Sequence, residues 1–229
     1  AAELKEQLDV SASSRLKNVM SLAGVLGMTN ADEVMVVPSA RAFARRRVEA
    51  ASHRPLIVGD AVRDWLVLDC PEVVFPYEGS ALVEIEERPG MLRWMWPYRT
   101  TMGSRATFAK VTYFEEGRPW WGWHQIAPDR LRTPLSIVYG EIATHNHFVV
   151  DRGGTVFNRT APIIKLPSTS TIEEHFGVAG LLNSSIGCFW MKQVFHDKGA
   201  GGLSGGLASE SWEHRFAHDS TKLSLSPAS

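Results

Sequence analysis

Two histidines that flank an asparagine, His145-Asn146-His147, are the residues of this sequence whose types and spacing point most directly to chemistry. Alternate side chains of a β-strand point to the same side, so His145 and His147 would form a pair of the kind that binds zinc or iron. A metal site would need a further ligand, and Glu141 lies four residues earlier. The spacing therefore makes a metal site one hypothesis for this segment.

Two other interpretations of the same three residues compete with metal binding. The first is a purely structural role, with the side chains hydrogen-bonded in the core or in a turn. The second is contact with nucleic acid, because an asparagine at a loop tip can pair with adenine through two hydrogen bonds. The residues alone leave the three alternatives open.

The densest aromatic patch consists of Trp120, Trp121 and Trp123, with His124 beside them. Core packing around a tight glycine turn is one interpretation, and a stacking or wedge surface beside an extruded base is the other. Basic residues flank the patch and suit phosphate contacts, although scattered charges also suit an ordinary solvated face. These basic residues are Arg93, Arg99, Arg105, Lys110 and Arg118.

The bulk composition is that of an ordinary globular protein, with 44% hydrophobic and 21% charged residues among 229. The formal net charge of −1 means that any contact with nucleic acid must rest on local basic clusters. No apolar run reaches the roughly 18 residues that span a bilayer, and the N-terminus has no signal-peptide layout. Cys70 and Cys188 are predicted to be buried thiols in a reducing compartment. We therefore expect a cytoplasmic protein with no membrane partner.

The apolar pattern predicts an α+β fold, with a mixed, twisted sheet and short helices. An apolar helix near residues 172–195, which begins after Thr171, is expected to close the sheet at its C-terminal side. Nearer the N-terminus, the apolar positions of residues 16–26 fall on one helical face, and residues 34–37 form a short strand. Further predicted strands cover residues 136–139, 148–150, 155–157 and 163–166.

Six segments, taken in order, resemble the target-recognition domains of TaqI-like adenine methyltransferases and type I restriction specificity subunits. They are RLKNVMSLAGVLGMTNADEVMVV, RPLIVGDAVRDW, VVFPY, SIVYGEIATHNHFVVDRGGTVFNRTAPIIKLP, GLLNSSIGCFWMKQVFHDKG and WEHRFAHDSTKL. The last two resemble most the PglX family, the adenine-specific DNA methyltransferases of bacteriophage-exclusion (BREX) systems. The resemblance covers residues 15–223, nearly the whole chain.

The resemblance implies an organisation in four parts. Residues 1–14 are a polar N-terminal segment, and residues 15–167 form a DNA target-recognition domain. Residues 168–198 supply a packing helix, and residues 199–229 form a glycine-rich linker and polar tail. The implied partners are double-stranded DNA, a catalytic methyltransferase region and other phage-defence proteins.

Adenine methyltransferases of this kind hold the flipped base with an Asn/Asp-Pro-Pro-Tyr loop. This sequence has no Pro-Pro pair, and Phe75-Pro76-Tyr77 lacks the asparagine and the first proline. The glycine-rich cofactor loop is also missing. We therefore expect no catalytic residue, cofactor or metal in this chain, and S-adenosylmethionine is expected only for the parent enzyme. Because the family continues beyond LSLSPAS, we also expect a truncated or altered C-terminus.

The resemblance also places Asn158-Arg159-Thr160 near the recognition face. The predicted DNA-binding residues are Arg99, Arg105, Lys110, Arg118, Trp120, Trp121, His124, His145, Asn146, His147 and Arg159. Two other classes of function compete with DNA recognition. One is a small metal-dependent enzyme built on the His145 and His147 pair, and the other is a protein-interaction module of a defence complex.

Overall fold

The structure of the protein is a computed structural model that describes residues 2–198 and 214–228. The predicted linker at Gly199-Ala200-Gly201-Gly202 lies outside the described residues. The helices are α1 (Ala2–Ser11), α2 (Leu16–Val19), α3 (Asp32–Met35), α4 (Ala40–Arg45), α5 (Pro89–Met95), α6 (Arg99–Gly103), α7 (Tyr113–Glu116), α8 (Ile172–Asn183), α9 (Ser185–Val194) and α10 (Ser220–Leu223).

The strands are equally short, and most are two to four residues long. They are β1 (Leu22–Gly24), β2 (Gly27–Met28), β3 (Val36–Val37), β4 (His53–Ile57), β5 (Val62–Arg63), β6 (Leu66–Val67), β7 (Glu72–Val74), β8 (Tyr77–Glu78), β9 (Ala81–Leu82), β10 (Gln125–Ile126), β11 (Ser136–Tyr139), β12 (Ile142–Ala143), β13 (Phe148–Asp151), β14 (Val156–Phe157), β15 (Ile163–Lys165), β16 (His196–Asp197) and β17 (Phe216–Ala217). Helices and sheets occur together, so the predicted α+β class is confirmed.

An antiparallel sheet with strand order β1-β15-β11-β13 separates two hydrophobic cores. Because side chains alternate across a strand, Val138 and Ile163 face one core while Ile137 and Ile164 face the other. The larger core contains the aromatic segment around Trp120, and the smaller core contains helices α8 and α9.

A second four-stranded sheet has the order β14-β4-β7-β3. Strand β14 runs parallel to β4, with Val156 opposite Leu56, whereas β4 and β3 both pair antiparallel with β7. The sheet is therefore mixed, as predicted. The prediction of one sheet is wrong in number, because the strands divide into two four-stranded sheets and smaller pairs.

The predicted C-terminal helix is two helices, α8 and α9, which meet at Ser184. Ser184 has an extended backbone (φ −68°, ψ 156°), and its hydroxyl accepts a hydrogen bond from the amide of Gly187. A serine in this position stops the first helix and caps the second, which is why the apolar run does not form a single rod. Thr171 begins α8 with a capping box that includes Glu174.

Two predictions near the N-terminus are wrong. Residues 16–26 do not form one helix, because α2 ends at Val19 and strand β1 begins at Leu22. Pairing with the sheet overrides the helical pattern, since Ser21 donates its amide to the carbonyl of Lys165. Residues 34–37 are strand only in their second half, after helix α3.

The described residues after the gap pack against the rest of the molecule. Strand β17 pairs with β12 and β16, and Leu223 of α10 is fully buried in the smaller core. The amide of Leu16 donates to the carbonyl of Ser226, and Arg15 forms an isolated bridge with Pro227. None of the helices in residues 2–198 and 214–228 has the length and apolar character of a membrane-spanning segment.

Candidate nucleic-acid interface

The structure brings large aromatic side chains and two cations to the surface between residues 96 and 114. We call this the aromatic–basic surface. It consists of Trp96, Tyr98, Arg99, Phe108, Lys110 and Phe114, all of them exposed. Exposed aromatic side chains of this size are uncommon on a protein surface, so this region is a candidate binding surface.

The first half of this surface is built on the junction of α5 and α6. Pro97 lies in a short 3-10 turn there, which turns Trp96 and Tyr98 outward. The guanidinium of Arg99 lies 5.5 Å from the ring centre of Trp96 and 5.0 Å from that of Phe114. Arg99 is therefore held between two exposed rings, with its charge facing solvent.

The second half is a tight hairpin formed by residues 106–112. Ala106 and Thr112 form an antiparallel bridge, and the amide of Thr107 donates to the carbonyl of Val111 at 2.8 Å. Lys110 adopts a left-handed backbone (φ +64°), which a lysine rarely does. The hairpin presents Phe108, the most exposed aromatic side chain of the surface at 72%.

Tyr113 forms the buried floor beneath this hairpin. Its ring centre lies 4.4 Å from the Arg105 guanidinium and 4.6 Å from that of Arg118. Its hydroxyl is 3.0 Å from Nδ1 of His124, and the His124 ring lies 4.6 Å from that of Phe108. Burial raises the pKa of Tyr113 and lowers that of His124, so both groups are neutral at pH 7.

Arg105 was predicted to contact phosphate, but its guanidinium holds protein backbone together. It donates to the carbonyls of Met102, Thr29, Trp120 and Gly122 at 2.6–3.0 Å. Burial also lowers its pKa. Arg118 likewise donates to the carbonyls of Trp123 and His124. These two arginines therefore position the surface from beneath.

The tryptophans that the sequence singled out lie mainly in the core. Trp120 is 7% exposed and Trp123 is 1% exposed. The indole of Trp123 donates to the carbonyl of Val74, and that of half-buried Trp121 donates to the carbonyl of Val83. Core packing is thus the role that the structure shows for this patch. Trp120 packs near the exposed Trp96, with the two ring centres 6.4 Å apart.

The His145-Asn146-His147 segment is a bend between β12 and β13, so its two histidines do not follow strand geometry. Asn146 was expected at an exposed loop tip, but it is 8% exposed and donates to the carbonyls of Leu182 and Ser184. Its amide therefore closes the junction between α8 and α9, so the expected exposure is wrong.

The two histidines have separate partners. His147 lies 2.7 Å from the carboxylate of Asp64, and exposed His145 lies 2.8 Å from the Thr144 hydroxyl. Their rings are 6.3 Å apart. Across the described part of the chain, no three His, Cys, Asp or Glu side chains gather into a group that could hold a metal ion. The geometry thus gives the metal hypothesis no support.

Arg159 is exposed and lines a polar cleft of about 630 Å³ with Asn158 and three carboxylates, those of Asp32, Glu33 and Glu141. Arg105 connects the cleft to the support of the aromatic–basic surface, because it donates to the carbonyl of Thr29 and the next residue, Asn30, lines the cleft. Its side chains can accept and donate several hydrogen bonds. This is the chemistry that base edges require.

Sequence reasoning selected the exposed residues Arg99, Lys110, His145 and Arg159 but missed four aromatic residues. These are Trp96, Tyr98, Phe108 and Phe114. The segment MLRWMWPYR contains aromatic, basic and proline residues together, which could have indicated an exposed turn. Phe108 had no such indication, because the hairpin that exposes it depends on long-range contacts of Arg105 and His124.

The chain is similar to part of an adenine-specific methyltransferase. Over 98% of its length it is 40% identical to PglX, the adenine-specific methyltransferase of Streptomyces coelicolor. It spans 19% of the length of that relative. No protein-family model matches the chain. The resemblance found in the sequence to PglX is thus confirmed at the level of sequence identity.

The fold is also similar to part of a solved structure. That structure is the type IIL restriction-modification enzyme MmeI in complex with DNA, with a TM-score of 0.58. The match covers 93% of this chain and 25% of that chain, at 13% identity. The two chains thus have a similar fold at low sequence identity.

Proposed function

We propose that this chain is the DNA sequence recognition part of an S-adenosylmethionine-dependent, adenine-specific DNA methyltransferase of a phage-defence system. The observation that carries the proposal is the aromatic–basic surface, where Arg99 lies between two exposed rings and a tight hairpin exposes both Phe108 and Lys110. The likeness to PglX supports the reaction, and a shared fold with an enzyme whose structure contains DNA supports the partner.

The aromatic–basic surface and the polar cleft have different roles in this proposal. Arg99 and Lys110 contact phosphates, which fixes the position of the duplex without selecting a sequence. Asn158 and Arg159 contact base edges from the polar cleft, because an amide pairs with adenine and a guanidinium pairs with guanine. Arg105 and Arg118 keep both regions in place through their bonds to the backbone.

Methyl transfer and cofactor binding belong to the catalytic region of the parent enzyme. The sequence has no Pro-Pro pair, so it contains no Asn-Pro-Pro-Tyr loop. The exposed side chains of Trp65, Leu66 and Leu68, in and after the β5–β6 hairpin, provide a candidate contact for that region. Leu66→Glu should then prevent co-purification with a separately expressed catalytic region while DNA binding persists.

The proposal is tested with the purified protein and fluorescent 30-base-pair duplexes whose centre is randomised. Affinity should fall steeply with salt, and Arg99→Ala and Lys110→Ala should each reduce the slope of log K against log salt by about 1. Arg152→Ala is the matched control, since Arg152 is exposed but lies beside Phe176 of α8. Sequencing of the retained duplexes should show a motif that Arg159→Ala relaxes.

Three results would contradict the proposal. One is the absence of any duplex binding at low salt. Another is an affinity that does not depend on salt. The third is a slope that changes equally in Arg152→Ala and in the two surface variants.

A further inference from the structure

The hairpin of residues 106–112 presents a single large apolar side chain on a rigid support, and we infer that Phe108 is a wedge that enters the base stack of bound DNA and kinks it. This inference rests on the proposed function, because it requires a duplex on the aromatic–basic surface. Wedges of this kind are apolar side chains inserted between base steps, which bend the duplex by about 20–90°.

The hairpin is so tight that the side chain of Phe108 cannot fold back into the protein. Thr107 receives a hydrogen bond from the amide of Lys110 at 3.0 Å and donates its own amide to Val111 at 2.8 Å. Thr107 itself is buried at 6% exposure, whereas Phe108 is 72% exposed. Adjacent residues thus point in opposite directions, one as an anchor and one as a projection.

The base of the hairpin is fixed from three directions. Arg105 precedes it and binds backbone carbonyls of three separate segments, including that of Thr29. Thr112 is its last residue and caps helix α7, where its hydroxyl accepts from the amide of Glu115. The His124 ring supports one side of the Phe108 ring. A side chain that must separate two stacked bases needs such a support, because a flexible one would yield instead.

The neighbours of Phe108 suit a duplex. Val111 is 40% exposed and extends the apolar tip, and Lys110 places a cation two residues from the ring. The left-handed backbone of Lys110 turns the chain at this point. In the inferred complex Phe108 occupies the opened base step while Lys110 contacts the adjacent phosphate.

The test uses the duplexes that the wild-type protein retains from the randomised pool. Donor and acceptor dyes at the two ends report bending through energy transfer, and 2-aminopurine placed through the site reports local unstacking. The wild-type protein should raise energy transfer and produce a 2-aminopurine signal at one step. Phe108→Ala should abolish both changes and weaken binding by about 5- to 150-fold.

Three further variants separate the wedge from general loss of binding. Phe108→Leu should keep the bend, because leucine is also an apolar wedge. Lys110→Ala should reduce the salt slope by about 1 and keep the bend. Phe176→Ala removes a 45% exposed phenylalanine of α8 and should change neither quantity.

The outcomes distinguish the inference from the proposed function. If the protein retains no duplex, the proposed function fails. If it retains duplexes with a shared motif but leaves them straight and stacked, or if Phe108→Ala bends them as the wild type does, only the wedge is refuted. Bending lost in Phe108→Ala and kept in Phe108→Leu supports the wedge.

Discussion

The side chain of Asn183 pairs with both backbone groups of Phe148. Its Nδ2 donates to the Phe148 carbonyl at 2.7 Å, and its Oδ1 accepts from the Phe148 amide at 2.9 Å. At the first residue of β13, one amide side chain thus makes the two backbone hydrogen bonds that a neighbouring strand would otherwise make. Asn146 makes the converse contact, since its amide reaches the carbonyl of Leu182. The two asparagines bind the end of α8 to the sheet.

Asn146→Ala should lower the free energy of unfolding by about 1–3 kcal/mol. The reason is that the carbonyls of Leu182 and Ser184 lose a buried donor. Urea titration measures the change, and His145→Ala is the control because the neighbouring histidine is exposed. A stable Asn146→Ala protein with altered DNA specificity would instead restore the earlier hypothesis of a base contact.

Arg105→Ala should mainly lower stability, whereas Arg99→Ala should mainly weaken DNA binding. Arg105→Ala should lower the free energy of unfolding by about 3 kcal/mol or more, because four backbone carbonyls lose a charged donor. Arg99→Ala should cost no more than about 1 kcal/mol, the value of an exposed cation–π contact, and should weaken DNA binding at all sequences. Thermal melting and binding of the two variants side by side measure the contrast. Equal melting temperatures would show that Arg105 is not structural.

Gly103→Ala should weaken DNA binding through Phe114. A Cβ at Gly103 would overlap the Phe114 ring, so the ring must leave its place beside Arg99. The helix itself tolerates alanine well. A double-mutant cycle with Phe114→Ala should therefore show that the two changes together weaken affinity no more than Phe114→Ala alone. Additive losses would mean that Gly103 acts through another contact.

The protein should lose stability in mild acid because of His218. Burial lowers the pKa of His218 to about 4, against about 6.5 in the unfolded chain. The unfolded state therefore binds a proton first as the pH falls, and the folded state loses about 2 kcal/mol between pH 7 and pH 5 from this group. Urea titrations at the two pH values measure the loss.

His218→Gln is the comparison variant for the acid effect. It should show a loss smaller by about that amount. His145 and His124, whose pKa values are also lowered, contribute in the same direction in both proteins. An identical pH dependence in the two proteins would assign the acid sensitivity elsewhere.

Strands β11, β13 and β15 were predictable, because each is a short apolar run bounded by turn residues. Residues 136–139 and 163–166 were located within one residue. The failures occurred where a long-range partner outweighs the local pattern. Ser21 pairs with Lys165 from the other end of the domain, and this converts an apparent helix into strand β1.

The exposed basic residues of the candidate site were predictable, but the exposure of its aromatic residues was not. Trp120 and Trp96 are residues of the same kind in similar surroundings, and only the packing makes one a core residue and the other a surface residue. The sequence likewise cannot distinguish Arg99 from Arg105, because what separates them is a set of carbonyls contributed by distant segments. Exposure is a property of the assembled fold.

The bridge between Arg15 and Pro227 places the segment that follows helix α1 beside the last described residues. The amide of Ala228 reaches the carbonyl of Ser14 at 3.0 Å. A unit with adjacent ends can be inserted into a host polypeptide at a single position with little disturbance to the flanking parts. Under the proposed function, replacing residues 15–227 with the matching residues of a relative should keep this junction and change the DNA preference.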